Sequence, residues 1–382
     1  MYRGSTNVAN SNLVSYPSKN DGKLPDCIPS EECLLIPPSG PNTGASVVKK
    51  NGTSGSSLIS KRFEAPDIPT EAAEIILQSW RAKTRSKYEG VLRQWELFCK
   101  QRFENPFLVH VNIVLKFLAK LYNEKKSYSY ISSARSALSS VVSINGYSKL
   151  SDHPLVSRFI KGVYHLNPPK PKYTYIWDVN LVFQYLKKRG ANDSLSLSML
   201  THKLAMLLLL YSGQRCSTLG SFDKLFMDLQ KEQCIFYPNK LLKHSRPNRK
   251  MDTFTFEACG QEPMLCPVLA IEEYLKRRNT LTNTNVTSLF VTCAKPHHTP
   301  SQDTIARWVK GVMKDAGVNT NVFHPHSCRS ASTSKGKVQG MPIEQILKFG
   351  SWKNVNTFMK HYCKQVINTG PENKLQQALT NQ

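Results

Sequence analysis

The chain contains the stretch His324-Pro325-His326-Ser327-Cys328-Arg329, followed by Gly350-Ser351-Trp352-Lys353 and then by Phe358-Met359-Lys360-His361-Tyr362. A helix that begins after Pro325 would place His326 and Arg329 on one face. A guanidinium offers a planar fork of donors that fits two phosphate oxygens, and a nearby imidazole can donate or accept a proton. This stretch therefore predicts one half of a phosphate-binding site.

Two aromatic residues further along could complete such a site. The indole N–H of Trp352 can only donate a hydrogen bond. The hydroxyl of Tyr362 is a weak nucleophile, with an ordinary pKa of about 10, unless surrounding cations and donors offset the charge of the phosphate it attacks. Each feature alone also fits a plain structural role, the His-x-x-Arg pair as a chance helix face and Tyr362 as a core aromatic.

The amino-acid composition of the chain indicates what kind of molecule it binds. The 382 residues carry a net charge of +24 and 40% hydrophobic residues, which suits a globular protein that binds a polyanion such as nucleic acid. The longest apolar run, 204–211, is too short to cross a bilayer, and nothing in residues 1–40 resembles a signal peptide. Ten cysteines without a Cys-x-x-Cys pair indicate reduced thiols in an intracellular protein, and we expect no metal site.

Changes in composition divide the first half of the chain. Residues 1–63 are rich in Ser, Asn, Gly, Pro and Lys, which predicts a disordered tail. Residues 66–166 show helical periodicity with basic outer faces. Helices are predicted over 70–80, 84–102, 112–125, 129–144 and 154–164. Three prolines within residues 167–173 predict an extended linker.

Residues 174–382 are predicted to form a second domain that combines helices with a small β-sheet. Helices are predicted over 177–188, 194–212, 267–278, 301–316, 324–338, 342–349 and 355–366, with a short helical tail over 371–382. Two β-prone runs, which begin at Cys234 and Asp252, flank Arg246-Pro247-Asn248-Arg249 and predict a hairpin.

Further cations precede the His-x-x-Arg pair. The apolar helix predicted over 194–212 runs into Gly213-Gln214-Arg215. An arginine at the end of a buried helix is costly unless it meets an anion or a carboxylate, so Arg215 is either a structural ion-pair partner or a phosphate ligand. The hairpin carries Lys240, Lys243 and Arg246, which form either a catalytic tip or only a basic one.

Arg215, His326-x-x-Arg329, Trp352 and Tyr362 resemble, in this order, the catalytic residues of the tyrosine recombinases, the phage integrase family. The string Gly213-Gln214-Arg215-Cys216-Ser217-Thr218-Leu219 is similar to the family's Gly-x-Arg-x-x-Glu-Leu, with Thr218 where an acidic residue is usual. The spacing Trp352-x-x-x-x-Thr357-Phe358-x-x-x-Tyr362 looks like that in the recombinases of DIRS-type retrotransposons and Cryptons.

The resemblance implies a mostly α fold with a small β-sheet. It also implies a two-domain, C-shaped DNA clamp: a helical SAM-like core-binding domain over 66–166 and a mixed α/β catalytic domain over 174–382. DNA contacts are expected from Arg85, Lys87, Arg135, Lys240 and Arg246. A C-terminal tail that docks on a neighbouring protomer implies a homo-oligomer assembled on double-stranded DNA.

The activity that the resemblance implies is the cutting and rejoining of DNA strands, for recombination or integration. Tyr362 would form a 3′-phosphotyrosyl intermediate without metal, ATP or another cofactor. Lys243 is the first choice for the lysine that protonates the leaving 5′ oxygen, with Lys240 as the reserve. A eukaryotic member would work in the nucleus, encoded by a mobile element or a host gene. A type IB topoisomerase and a domesticated DNA-binding protein that no longer cuts remain alternatives.

Overall fold

Helices make up most of the chain. The computed structural model describes residues 57–64, 68–144, 149–248, 251–281 and 286–367. The chain divides into two compact units, Met1–Leu97 and Phe98–Gln382. The first unit contains α1 (Leu58–Phe63), α2 (Thr70–Leu77) and most of α3 (Ala82–Lys100), and the second unit contains the elements after it. The predicted mostly α fold with small β-sheets is confirmed.

Helix α1 corrects the prediction that the disordered tail extends to residue 63. The hydroxyl of Ser57 caps α1 by accepting a hydrogen bond from the N–H of Ser60 at 3.3 Å. Leu58 and Ile59 on this helix are buried. A capping serine followed by two buried apolar residues stabilises a short helix through tertiary packing, which composition alone does not reveal. The rest of the predicted tail, residues 1–56, lies outside the described ranges.

Three helices at the start of the second unit pack against one another: α4 (Val111–Asn123), α5 (Tyr128–Leu138) and α6 (Pro154–Leu166). Helix α5 ends six residues before its predicted end, because Val141 and Val142 turn into the core. Ser143 then forms a β-bridge with Leu108. The predicted stop signal at 145–146 lies outside the described residues.

The prediction of a helix from residue 177 is wrong at its start. Trp177 belongs to a strand, β1 (Tyr175–Trp177), and the helix α7 begins later (Asn180–Lys188). The indole N–H of Trp177 donates to the hydroxyl of Ser327 at 2.9 Å, and the main chain of Trp177 pairs with Ile367 as an extended strand. Strand β1 pairs in parallel with the last strand, β5 (Gln365–Ile367).

Helix α8 (Leu197–Ser212) forms the centre of the second unit's core. Every residue from Leu204 to Leu210 is buried, as expected for a helix that is apolar on all sides. It ends at Gly213, whose φ of +58° favours glycine, and the short α9 (Cys216–Leu219) follows. Around α8 pack α10 (Pro267–Asn279), α11 (Gln302–Asp315) and α12 (Ser327–Val338).

A three-stranded antiparallel sheet covers part of this core. Its strands are β2 (Met227–Leu229), β3 (Gln233–Phe236) and β4 (Phe254–Glu257), in that order. The pairing of β3 with β4 confirms the predicted hairpin. The connection spans residues 237–253 and is therefore much longer than the four residues predicted to separate the strands.

The last elements are α13 (Ile343–Phe349), α14 (Val355–His361) and β5. The helix predicted over 355–366 is wrong beyond His361, because Tyr362 is the C-cap residue and the chain then enters β5. The tail predicted over 371–382 lies outside the described residues. Within the described ranges, none of the helices combines the length and the apolar content that a membrane crossing requires.

The guanidinium of Arg278 on α10 anchors the segment 286–289. Arg278 is fully buried, and it donates to the carbonyl oxygens of Val286 at 2.5 Å, Ser288 at 2.7 Å and Leu289 at 3.0 Å. We expect Arg278→Met to lower the free energy of unfolding by about 3 kcal/mol or more, since these carbonyls lose a buried donor. Lys276→Met, at an exposed position of the same helix, is the control. Equal values for the two variants in chemical denaturation would contradict this role.

Candidate active site

Arg329 connects the parts of the candidate site. It lies in the first turn of α12 and is 1% exposed. Its Nη1 donates to the carbonyl oxygen of Gly213 at 2.6 Å, and its Nη2 donates to that of Gly350. The guanidinium carbon lies 3.9 Å from the ring centre of Trp352 and 5.1 Å from that of Tyr362. One buried cation therefore joins the end of α8, the turn after α13 and two aromatic residues.

Two buried donors in this cluster have no hydrogen-bond partner among the described residues. They are Nε of Arg329 and Nε1 of Trp352. Buried donors in native proteins are nearly always paired, and an unpaired one costs about 1–3 kcal/mol. Two such donors in one cluster indicate a site shaped for an acceptor group that the described part of the chain does not supply.

Tyr362 is half-buried beside these donors. Its ring centre lies 4.7 Å from that of Trp352 and 5.9 Å from that of His326. Its main-chain carbonyl accepts hydrogen bonds from the hydroxyls of Ser330 at 2.5 Å and Ser334 at 2.9 Å. Helix α14 therefore ends at Tyr362, and side chains of α12 hold the main chain of this residue.

Positive charge surrounds His326, which is the N-cap residue of α12 rather than part of the helix as predicted. The residue as a whole is exposed to solvent. Partial burial, followed by the charges of Arg215, Arg329, Lys243 and Lys172, lowers the pKa of His326 to about 4. The imidazole is therefore neutral at pH 7, and these cations lie within electrostatic reach of it.

Lys172 adds positive charge near the site, although the sequence analysis assigned this lysine only to the linker. It is exposed, and its charge contributes to the lowered pKa of His326. It lies just before β1, which pairs with the strand that follows Tyr362. The tertiary pairing of these two strands brings the linker to the site, and a local sequence pattern does not report such a pairing.

A neutral network supports the turn that carries Arg215. Thr218 is buried, and its hydroxyl donates to the side-chain oxygen of Gln214 at 3.5 Å. The amide nitrogen of Gln214 donates to the carbonyl oxygen of Phe349 at 2.5 Å and to the hydroxyl of Ser351 at 3.1 Å. Sequence reasoning missed Gln214, whose fully buried amide joins the α8–α9 turn to the turn after α13.

The close approach of Trp352 to the main chain requires glycine at position 350. A Cβ atom on Gly350 would lie 1.9 Å from a ring carbon of Trp352. The next residue, Ser351, has a φ of +51°, which folds the chain back so that the N–H of Trp352 donates to the carbonyl oxygen of Leu347 at 2.9 Å. This tight turn places both the indole of Trp352 and the carbonyl of Gly350 against the guanidinium of Arg329.

Lys243 lies in the connection between β3 and β4 and is exposed. A small turn presents it: Leu242 is buried, and the hydroxyl of Ser245 accepts the N–H of Leu242 at 2.9 Å. Lys240 and Arg246 are also exposed in this connection. Of the two lysines proposed as proton donors, Lys243 is the one whose charge acts on His326.

The structure thus brings six sequence-predicted residues together: Arg215, Lys243, His326, Arg329, Trp352 and Tyr362. Burial, followed by the charge of Arg215, lowers the pKa of Arg329, whereas its interaction with Tyr362 raises it. A guanidinium remains charged at neutral pH under such a shift. No group of three or more His, Cys, Asp or Glu side chains in the described ranges is arranged to hold a metal ion.

Three further predicted DNA contacts lie on helices α3 and α5. Arg135 on α5 is half-buried, and its Nε is a buried donor without a hydrogen-bond partner within the ranges that the structure describes. In the first unit, Arg85 forms an ion pair with Glu89 at 3.1 Å, and Lys87 is exposed.

Comparison with known proteins gives one family match, which covers the segment that carries this site. Residues 184–367 match the phage integrase family. The matched segment contains Arg215, Lys243, His326 and Arg329 as well as both aromatic residues of the site. No curated protein matches the chain in sequence.

Solved structures with a similar fold include two complexes of one enzyme. The Tn1549 transposon integrase in complex with transposon right end DNA has a TM-score of 0.52 and 13% identity, covering 80% of this chain and 93% of that chain. The same integrase in complex with a circular intermediate DNA has a TM-score of 0.51 and 15% identity, covering 85% of this chain and 99% of that chain. At these identities the likeness shows a shared fold.

Replacing Gly350 tests the turn that holds Trp352. We expect Gly350→Ala to lower the free energy of unfolding by about 1–3 kcal/mol, because the added carbon displaces the indole. Gly311→Ala is the control, since its Cβ would meet no atom within 4 Å on α11 and alanine favours a helix. Chemical denaturation followed by tryptophan fluorescence measures both variants. Equal stability of Gly350→Ala and wild type would contradict the close approach.

The charge around His326 has a consequence for stability. Its folded-state pKa is about 4, below the ordinary 6.5, so the unfolded chain binds more protons between these values. The resulting contribution to stability is present above pH 6.5 and is lost as the pH falls toward 4. We therefore expect His326→Gln to flatten the decline of unfolding free energy in this window. An NMR titration that gives His326 a pKa of 6.5 or higher would contradict the account.

Proposed function

We propose that the chain cuts and rejoins DNA strands through a covalent 3′-phosphotyrosyl intermediate on Tyr362. The observation that carries the proposal is a pair of buried donors beside the tyrosine ring, Nε of Arg329 and Nε1 of Trp352, for which the described residues supply no hydrogen-bond partner. Phosphate oxygens are acceptors that fit such donors, and a guanidinium binds them in a planar fork. The net charge of +24 suits a polyanionic substrate.

The proposed step is a transesterification at one backbone phosphate. The hydroxyl oxygen of Tyr362 bonds to phosphorus, the bond from phosphorus to the 5′ oxygen breaks, and the neutral imidazole of His326 accepts the tyrosine proton. Donors from Arg215, Arg329 and Trp352 stabilise the charge that develops on the free phosphate oxygens.

Lys243 is proposed to donate a proton to the departing 5′ oxygen. Its charge contributes to the lowered pKa of His326, and its side chain is exposed to solvent. The turn formed by Leu242 and Ser245 fixes the main chain beside it. Lys240 remains the reserve for this role.

The proposal requires no metal and no ATP, because the side chains supply the positive charge and the phosphotyrosyl ester conserves the energy of the broken bond. A second 5′ hydroxyl can then attack the intermediate, which releases Tyr362 and rejoins the strand. Exchange between two duplexes requires several protomers on one DNA assembly, which is the homo-oligomer that the resemblance implies.

The finer assignments belong to the same proposal. The integrases of similar fold were solved in complex with DNA, which supports double-stranded DNA as the partner. The clamp formed by 66–166 and 174–382 would engage it through Arg85, Lys87, Arg135, Lys240 and Arg246. The spacing from Trp352 to Tyr362 supports a relationship to the recombinases of DIRS-type elements and Cryptons, and hence a mobile-element origin and a nuclear site of action.

A trapping experiment tests the nucleophile. We expect wild-type protein, incubated with nicked DNA in EDTA, to form a protein–DNA adduct that survives a denaturing gel, and Tyr362→Phe to form none. Tyr173→Phe is the matched control, because Tyr173 lies close enough for Tyr362 to raise its pKa. Tight DNA binding without any adduct would favour the domesticated DNA-binding protein. Relaxation of plasmids that lack recombination sites would favour the topoisomerase.

A modified substrate tests the proton donor. We expect Lys243→Ala to slow cleavage of ordinary DNA by about 100-fold or more. A 5′-bridging sulfur at the cleaved phosphate should restore most of this rate, because a thiolate leaves without receiving a proton. Single-turnover cleavage with both substrates measures the effect. If Lys240→Ala instead shows the loss and the rescue by sulfur, the two lysines exchange roles.

A further inference from the structure

Two serines on α12 hold the main chain of Tyr362. The carbonyl oxygen of Tyr362 accepts one hydrogen bond from Ser330 at 2.5 Å and a second from Ser334 at 2.9 Å. The two serines are one helical turn apart, so both hydroxyls face the same side. Both residues are at most 2% exposed, so water scarcely competes for these bonds.

These two hydrogen bonds pair a carbonyl that the end of α14 leaves without a partner. Tyr362 is the C-cap residue, and carbonyls at the end of a helix have no partner within the helix. The N–H of Tyr362 still donates to the carbonyl of Phe358 at 2.8 Å, whereas its carbonyl turns to α12. The nucleophile therefore lies at the junction of two helices rather than within one.

Ser334 also holds the residue that leads into β5. Its hydroxyl accepts the N–H of Lys364 at 3.0 Å while it donates to Tyr362. Strand β5 then pairs with β1, with Tyr175 opposite Gln365. The main chain is thus held at Tyr362 and on its C-terminal side.

The same helix carries the phosphate-binding groups. His326 caps α12 and Arg329 lies in its first turn, directly before Ser330. A hydrogen bond from the hydroxyl of Ser330 or Ser334 therefore fixes Tyr362 relative to α12. The same helix positions the guanidinium of Arg329 and the imidazole of His326. Strand transfer depends on the distance and direction between tyrosine oxygen and phosphorus, and an error of about 1 Å can cost 100-fold in rate.

We infer that Ser330 and Ser334 are positioning residues for Tyr362, which set the attack geometry without contacting DNA. This inference rests on the proposed function. If this face of α12 served only for packing, it would not require two buried hydroxyls. It also would not require both hydroxyls to bond to the same carbonyl, that of Tyr362. The serines act on the rate of bond formation, whereas binding of DNA depends on other groups.

The test is single-turnover cleavage of nicked DNA by wild type, Ser330→Ala, Ser334→Ala and the double variant. Ser332→Ala is the matched control, because Ser332 lies on the same helix and its hydroxyl is directed to the carbonyl oxygen of Arg329 at 3.5 Å. The rate constant, the fraction of protein that reacts, the DNA dissociation constant and the melting temperature are measured for each variant.

We expect the double variant to cleave at least about 10-fold more slowly, with the single variants between it and wild type. The reactive fraction and the DNA dissociation constant should stay within about twofold of wild type, because a positioning defect slows every molecule equally. Ser332→Ala should cleave at the wild-type rate.

Two results would overturn the inference. The first is an unchanged rate constant in the double variant. The second is a loss confined to the reactive fraction together with a lower melting temperature, since that pattern reports partial unfolding and a merely structural role. Failure of the wild type itself to form an adduct is a different outcome, because it refutes the proposed function. The serines would then have no attack by Tyr362 to orient.

Discussion

The buried guanidinium of Arg329 is the interaction on which the site depends. Removing a cation from water is expensive, and two main-chain carbonyls, those of Gly213 and Gly350, offset part of that cost. Both carbonyls belong to tight turns, one with a left-handed glycine and one beside a left-handed serine. The cation therefore holds the end of α8 and the turn before Trp352 in fixed positions, and the two aromatic rings pack over it.

The arrangement leaves the site with more positive charge and more donors than it can satisfy internally. The Nε of Arg329 and the Nε1 of Trp352 have no hydrogen-bond partner in the part of the chain that the structure describes, and burial followed by the surrounding cations lowers the pKa of His326. An arriving phosphate would pair the donors and offset the charge. The free protein carries this electrostatic cost, which allows the bound state to stabilise the phosphate as charge develops on it.

Much of this site could be predicted from sequence, because its chemistry demands particular residue types in a recognisable order. Arg329 and Trp352 are such residues, and the burial of the centre of α8 was equally readable from its continuous apolar run over 204–210. The parts that could not be predicted depend on tertiary contacts. Trp177 is a strand residue whose indole bonds to Ser327, and Tyr362 is the C-cap residue of α14, where Ser330 and Ser334 bind its carbonyl. Lys172 reaches the site through the pairing of β1 with β5.

The most direct measurement is to identify by mass spectrometry the residue that carries DNA after trapping on a nicked substrate. Nuclease and trypsin digestion should leave nucleotide attached through a phosphate to Tyr362, within the tryptic peptide 361–364. That result would establish the covalent intermediate at the centre of the account. Attachment at another residue, such as the nearby Tyr173, or a trapped complex with no covalent bond would contradict it.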